Sequence, residues 1–203
     1  MSTKSVIRSA NLALTAILIA FGRPGLTHAA PAFTSPASLL LKQSALPHGY
    51  RYRSSFVQRS VERWDGDIAP VLAIDEQNGW LAAAQESALD PSGRTVMLSV
   101  QLFTTDSGAR RDFAQFFTNA HPQTRFLPDT YWLGGTPARG LGNPATLYHI
   151  LDKSSPCPRH RTAGLSFVYR NALFSASVCQ GAPGDRGVRE LARRLYTRAQ
   201  KIG

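Results

Sequence analysis

Cysteine is scarce: the 203-residue chain has two, Cys157 and Cys179. That excludes a disulfide-dense miniprotein, and no CxxC pair is present. The chain also lacks GxSxG, HExxH and a Walker loop, and Gly134, Gly135, Gly140 and Gly142 do not form a strand-to-helix phosphate loop. No apolar run reaches the roughly 20 residues of a spanning helix. Acid is absent from the start of the chain, since no Asp or Glu precedes Glu62. What is present is ordinary: 43% hydrophobic residues and a mean hydropathy of −0.18. Such a chain can bury a core, which excludes disorder and collagen-like repeats and suits one globular domain.

The N-terminus has three parts. Lys4 and Arg8 precede the 12-residue apolar run Ala10 to Phe21, and Thr27-His28-Ala29 ends it with small residues. This is the layout of a secretory signal, with cleavage expected after Ala29, or else after Ala30. The alternative is an uncleaved signal anchor. No Cys lies near the cleavage site for a lipid anchor, and there is no Arg-Arg pair for twin-arginine export. The expected division is a signal peptide over 1–29, an Ala/Pro/Ser-rich tether over 30–45 and a single domain over 46–203. The mature protein is then expected to be soluble, secreted or periplasmic, and without a membrane span.

Charge is unevenly spread. Residues 30–152 carry 10 basic and 11 acidic side chains, whereas residues 153–203 carry 10 basic and 2 acidic. Six of the late cations fall on the C-terminal helix, where Arg186, Arg189 and Arg193 can share a face. Such a face suits an anionic partner such as a cell-envelope polymer. It also suits a plain solvated surface. Another exported protein is a second candidate partner; no nucleic acid, metal or cofactor is expected.

Periodicity predicts the elements. Tyr50 to Arg53 alternates as a strand, with both tyrosines on one face, and Asp67 to Gln77 reads as a short helix capped by Asp67. Trp80 to Leu89 and Thr95 to Thr104 flank the turn residues Asp90-Pro91-Ser92-Gly93, a hairpin signal. In the second strand Val96, Leu98, Val100 and Leu102 share one face. Asp106 caps a helix to about Asn119, with Ala109, Phe113, Phe116, Phe117 and Ala120 on its apolar stripe. Residues 121–144, rich in Pro and Gly, read as irregular. Strands follow at 146–152, 165–170 and 173–179, and Asp185 opens a helix whose buried stripe is Val188, Leu191, Ala192, Leu195, Ala199 and Ile202. Glu190 can pair with Arg186 or Arg194. The sum is an α+β fold with a single antiparallel or mixed sheet, helices packed on one face, and two hairpin–helix units that could be a degenerate duplication.

Leu39-Leu40-Leu41, Leu46-Pro47-His48-Gly49-Tyr50, Gly79-Trp80, Leu102-Phe103 before Ala109 and Phe113, Leu141-Gly142-Asn143-Pro144-Ala145 and the Tyr169-Arg170-Asn171 hairpin together resemble a loose group of exported bacterial proteins. Relatives in that group tend to show an acidic pair where this chain has Asn143-Pro144. The resemblance implies the order of elements and an exported location, and it carries no catalytic residue.

Candidate sites are few. Phe126, Tyr131 and Trp132 lie in the irregular segment, as a binding surface or as aromatics tucked onto the core. If the last three strands form a meander, Cys157 and Cys179 lie at the same end of the sheet, so a disulfide is expected in an oxidising compartment. A metal site using Cys157, His160, Cys179 and His149 is the alternative, and it requires reduced thiols. Two functions remain open. One is a non-catalytic binding or interaction module presenting the aromatic segment and Arg186, Arg189 and Arg193. The other is an exported hydrolase using His149 or His160, with Asp152 and Ser166 near in sequence.

Overall fold

Asp90 builds the turn on which the first hairpin closes. Its Oδ1 accepts the backbone N–H groups of Ser92 and Arg94 at 2.8 and 2.9 Å, its Oδ2 pairs with Arg94 at 2.7 Å, and Gly93 takes φ 76°. The hairpin strands are β2 (Trp80–Leu89) and β3 (Thr95–Phe103), as the alternation predicts. A computed structural model describes residues 32–65, 69–118, 130–153, 157–179 and 184–203. The expected signal segment, Asp67, Ala120 and Phe126 lie outside the described residues.

The remaining strands are β1 (Arg51–Gln58), β4 (Thr130–Pro137), β5 (Ala145–Asp152), β6 (Arg161–Tyr169) and β7 (Ala172–Cys179). All seven form one antiparallel sheet in the order β1-β2-β3-β7-β6-β5-β4. The helices among the described residues are α1 (Pro36–Leu39), α2 (Val61–Asp65), α3 (Ala69–Asn78), α4 (Asp106–Thr118) and α5 (Gly184–Ile202). None of the described helices is long and apolar enough to cross a membrane.

The in-facing residues of β3, Val96, Leu98, Val100 and Leu102, are all buried, as are Phe167 on β6 and Phe174 on β7. Over this face lie Val188, Leu191, Ala192, Leu195 and Ala199 of α5, each with no exposed surface. Ile202, expected on the same stripe, is exposed at the helix end. The alternate residues Phe103, Val168 and Leu173 point to the other face and pack with Ala109 and Phe113 of α4. Helices therefore cover both faces rather than one, because these strands carry apolar side chains in both phases.

Three further expectations are corrected. The tether does not extend to residue 45: Phe33, Leu39, Leu40 and Leu41 are buried in the main core, and α1 with a 3₁₀ turn at Gln43–Ala45 forms part of the domain. Regular structure does not stop over 121–144, since β4 pairs along β5 with a register shift between Trp132 and Gly134. The strand order is symmetric about the β3–β7 pair, but α4 and α5 leave their hairpins for opposite faces. A duplication about an axis normal to the sheet would keep them on one face.

Candidate functional site

Helix α5 buries one stripe on the sheet and turns its cations outward. Arg186, Arg189 and Arg193 are exposed and have no ion-pair partner among the described residues, and Glu190 pairs with Arg194 at 2.9 Å instead of with Arg186. Arg194 also donates to the Ala45 carbonyl at 3.1 Å, and the Arg198 Nε donates to the Ser38 carbonyl at 2.9 Å. The two groups of arginines thus differ in what they do. Arg194 and Arg198 hold the N-terminal segment, whereas Arg186, Arg189 and Arg193 have no ion-pair partner among the described residues.

Between α5 and that segment runs an open groove of about 1020 Å³. Six cations line it, Arg186, Arg189, Arg193, Arg194, Arg198 and Lys201, against one carboxylate, Glu190. Arg186 sits in the first turn of the helix, where the macrodipole is positive and adds to the local potential. The floor is apolar, from Leu41, Ala45 and Ile202. Chemically the groove can neutralise several closely spaced anions.

The other sequence candidates are scattered. Tyr131 is exposed on the edge strand β4 with the Lys153 Nζ 5.2 Å from its ring centre. Trp132 stacks on Tyr148 at 5.2 Å and meets Phe117 at 5.8 Å, so it belongs to an aromatic wall between β4, β5 and α4. Cys157 and Cys179 form a disulfide with Cα atoms 5.0 Å apart, which ties the loop after β5 to the end of β7 and uses the sulfurs that a metal would need. Among the described residues no cluster of three or more His, Cys, Asp or Glu gathers as metal ligands.

His149 Nε2 lies 2.8 Å from Asp185 Oδ1 at the start of α5, while His160 is exposed on a 3₁₀ turn. Ser166 cannot complete a triad with His149. The register pairs Ala163 with His149 and Thr146 with Ser166, which puts the serine on the opposite face of the sheet, bonded to the Ser175 hydroxyl at 2.7 Å.

Three buried acidic residues, Asp75, Asp112 and Glu86, escaped the sequence reading. Asp112 is buried, accepts from the Asn78 amide at 3.1 Å and hydrogen-bonds the Asp75 side chain, and burial raises its pKa. The Asn78–Asp112 bond joins α3 to α4. Glu86 is buried on β2, and burial pushes its carboxyl up to about 7. The signals were there: Asp112 is three residues past Ala109 on the apolar stripe of α4, and Glu86 stands in phase with Ala84 and Ala88.

No protein-family model and no curated protein sequence matches the chain significantly. Its fold does match a solved structure, that of the extracellular domain of PknH from Mycobacterium tuberculosis. The two align with a TM-score of 0.57 at 11% identity, over 84% of this chain and 98% of that one. The likeness is one of fold.

Proposed function

We propose that this chain is an extracytoplasmic, non-catalytic binding domain whose α5 groove takes an anionic cell-envelope polymer. The observation that carries the reading is the groove itself, with six cations against one carboxylate and Arg186, Arg189 and Arg193 without an ion-pair partner among the described residues. The location outside the cytoplasm is supported by the disulfide, by the secretory layout of the first 29 residues and by a fold shared with an extracellular domain. The hydrolase reading has less support, because the His149–Asp185 pair has no nucleophile from Ser166 on its side of the sheet.

The test is retention of the mature protein on immobilised polyglycerol phosphate and on polygalacturonate, one phosphodiester and one carboxylate polymer. Several simultaneous contacts make affinity fall steeply with salt. The variant carrying Arg186→Ala, Arg189→Ala and Arg193→Ala loses retention while keeping its melting temperature. If the wild type shows no salt-dependent retention on either polymer, the helix face is a solvated surface and the reading is wrong.

A further inference from the structure

A carboxyl group stands where the alternation of β2 calls for an apolar side chain. Ala84, Glu86 and Ala88 share the face covered by α1 and α5, and Glu86 lies across from Leu98 on β3 and Ser55 on β1. It is 3% exposed, and its Oε1 is buried without a hydrogen-bond partner. Native folds leave few such oxygens, because each one forfeits its hydration for nothing.

Glu86 lines an open cavity of about 500 Å³ between the N-terminal segment and the exposed edge strand β1, within the ~300–1,000 Å³ typical of small-molecule sites. Leu40 and Val57 give it aliphatic walls, Tyr52 an aromatic one, and Lys42 and Arg198 two cations. Arg198 is fixed by its bond to the Ser38 carbonyl at 2.9 Å. One buried acid and two cations around an apolar space form a mixed-charge site, which neither a simple anion nor a simple cation would satisfy.

We propose that this cavity binds a small zwitterion of the free α-amino acid class, its ammonium group on Glu86 and its carboxylate on Lys42 and Arg198. The ammonium supplies the donor that Oε1 lacks, and its charge favours the ionised form of Glu86 as the ligand arrives. Leu40 and Val57 take the ligand's side chain, so aliphatic amino acids bind better than aspartate or glutamate. The site adjoins the polymer groove and shares Leu41 and Arg198 with it, but Arg186, Arg189 and Arg193 do not line it, so replacing those three leaves leucine binding intact.

The experiment is calorimetric titration and thermal shift of the mature protein with each standard amino acid, followed by matched analogues of leucine. Leucine binds saturably and raises the melting temperature with dose. N-acetyl-leucine, which lacks the ammonium, and leucinamide, which lacks the carboxylate, each bind at least about tenfold more weakly. Glu86→Gln, which removes a buried acid and should fold well, weakens leucine binding by a similar factor. The analogue comparison is made on the wild-type protein and does not depend on any variant. The proposal is overturned if no standard amino acid binds below about 10 mM, if N-acetyl-leucine binds as well as leucine, or if Glu86→Gln leaves leucine binding unchanged.

Discussion

The Asn171 side chain grips the backbone of Phe33 from both sides, accepting its N–H at 2.7 Å and donating to its carbonyl at 3.0 Å. The same amide nitrogen donates to the Phe103 carbonyl at 2.9 Å. One buried residue in the β6–β7 turn thus joins the N-terminal segment to the end of β3. Phe33 is held further by Tyr169, 6.1 Å away, and by the Arg170 guanidinium at 5.5 Å.

Replacing Asn171 by Ala removes three hydrogen bonds and strands buried backbone groups, at an expected cost of about 2–4 kcal/mol. Asn171→Asp should be worse near neutral pH, because a carboxylate then faces two carbonyl oxygens with nothing to donate. Urea unfolding of both variants checks this. A cost below about 1 kcal/mol for the alanine variant would show that the segment is held by its apolar contacts alone.

The disulfide closes a separation of 22 residues, worth on the order of 3 kcal/mol in the chain-entropy picture. Cys157→Ser and Cys179→Ser should each cost about that, and the double variant should be little worse than either, since the bond acts as a unit. Thiol titration of the native protein checks the premise. Two reactive thiols would falsify it.

Glu86 makes stability depend on pH in the opposite sense to a salt-bridged acid. Its ordinary value of 4.5 rises to about 7 in the folded protein because burial disfavours the charged form. The folded state therefore holds the proton more tightly, so the contribution of Glu86 to stability is greatest below pH 4.5, is lost as pH rises towards 7 and levels off above it. Glu86→Gln should remove that slope and exceed the wild type by about 2–3 kcal/mol above neutrality. Denaturation midpoints at about pH 5 and about pH 8 decide it. Parallel slopes for the two proteins would mean that Glu86 is solvated.

What the sequence showed and hid follows from burial. The central strands were legible because a buried face imposes period two, as in Val96, Leu98, Val100 and Leu102, and helix α5 because its stripe is buried from Val188 to Ala199. The edges were not. Residues 51–57 of β1 are all exposed, so no alternation is imposed on them, and β4 carries Gly134, Gly135 and Pro137, which read as breakers yet are tolerated on an edge strand. The segment 30–45 looked like a tether because Ala, Pro and Ser dominate it. Its few apolar residues, Phe33 and Leu39 to Leu41, are nevertheless core. Of the candidate site, the arginine face was legible from three- and four-residue spacing, whereas the Glu86 cavity was not, because it is made by chain segments far apart in sequence.

The aromatic wall gives the last prediction. Gly164 pairs with Tyr148 across β5 and β6, and the Tyr148 ring lies over it where a side chain would project. Tyr148 in turn stacks on Trp132 and lies 5.4 Å from Phe117, so this ring links the edge strand β4 to α4 alongside the direct Trp132–Phe117 contact. Gly164→Ala forces the ring off its site, and overpacking of this kind costs about 1–3 kcal/mol. Gly93→Ala is the control. It has open space at the added carbon and strain only from its φ of 76°, so its cost should be about 1 kcal/mol. The two variants separate in near-ultraviolet circular dichroism, where only Gly164→Ala disturbs the Tyr148–Trp132 stack. An unchanged aromatic spectrum in Gly164→Ala would show that β4 is held by its ladder rather than by this ring.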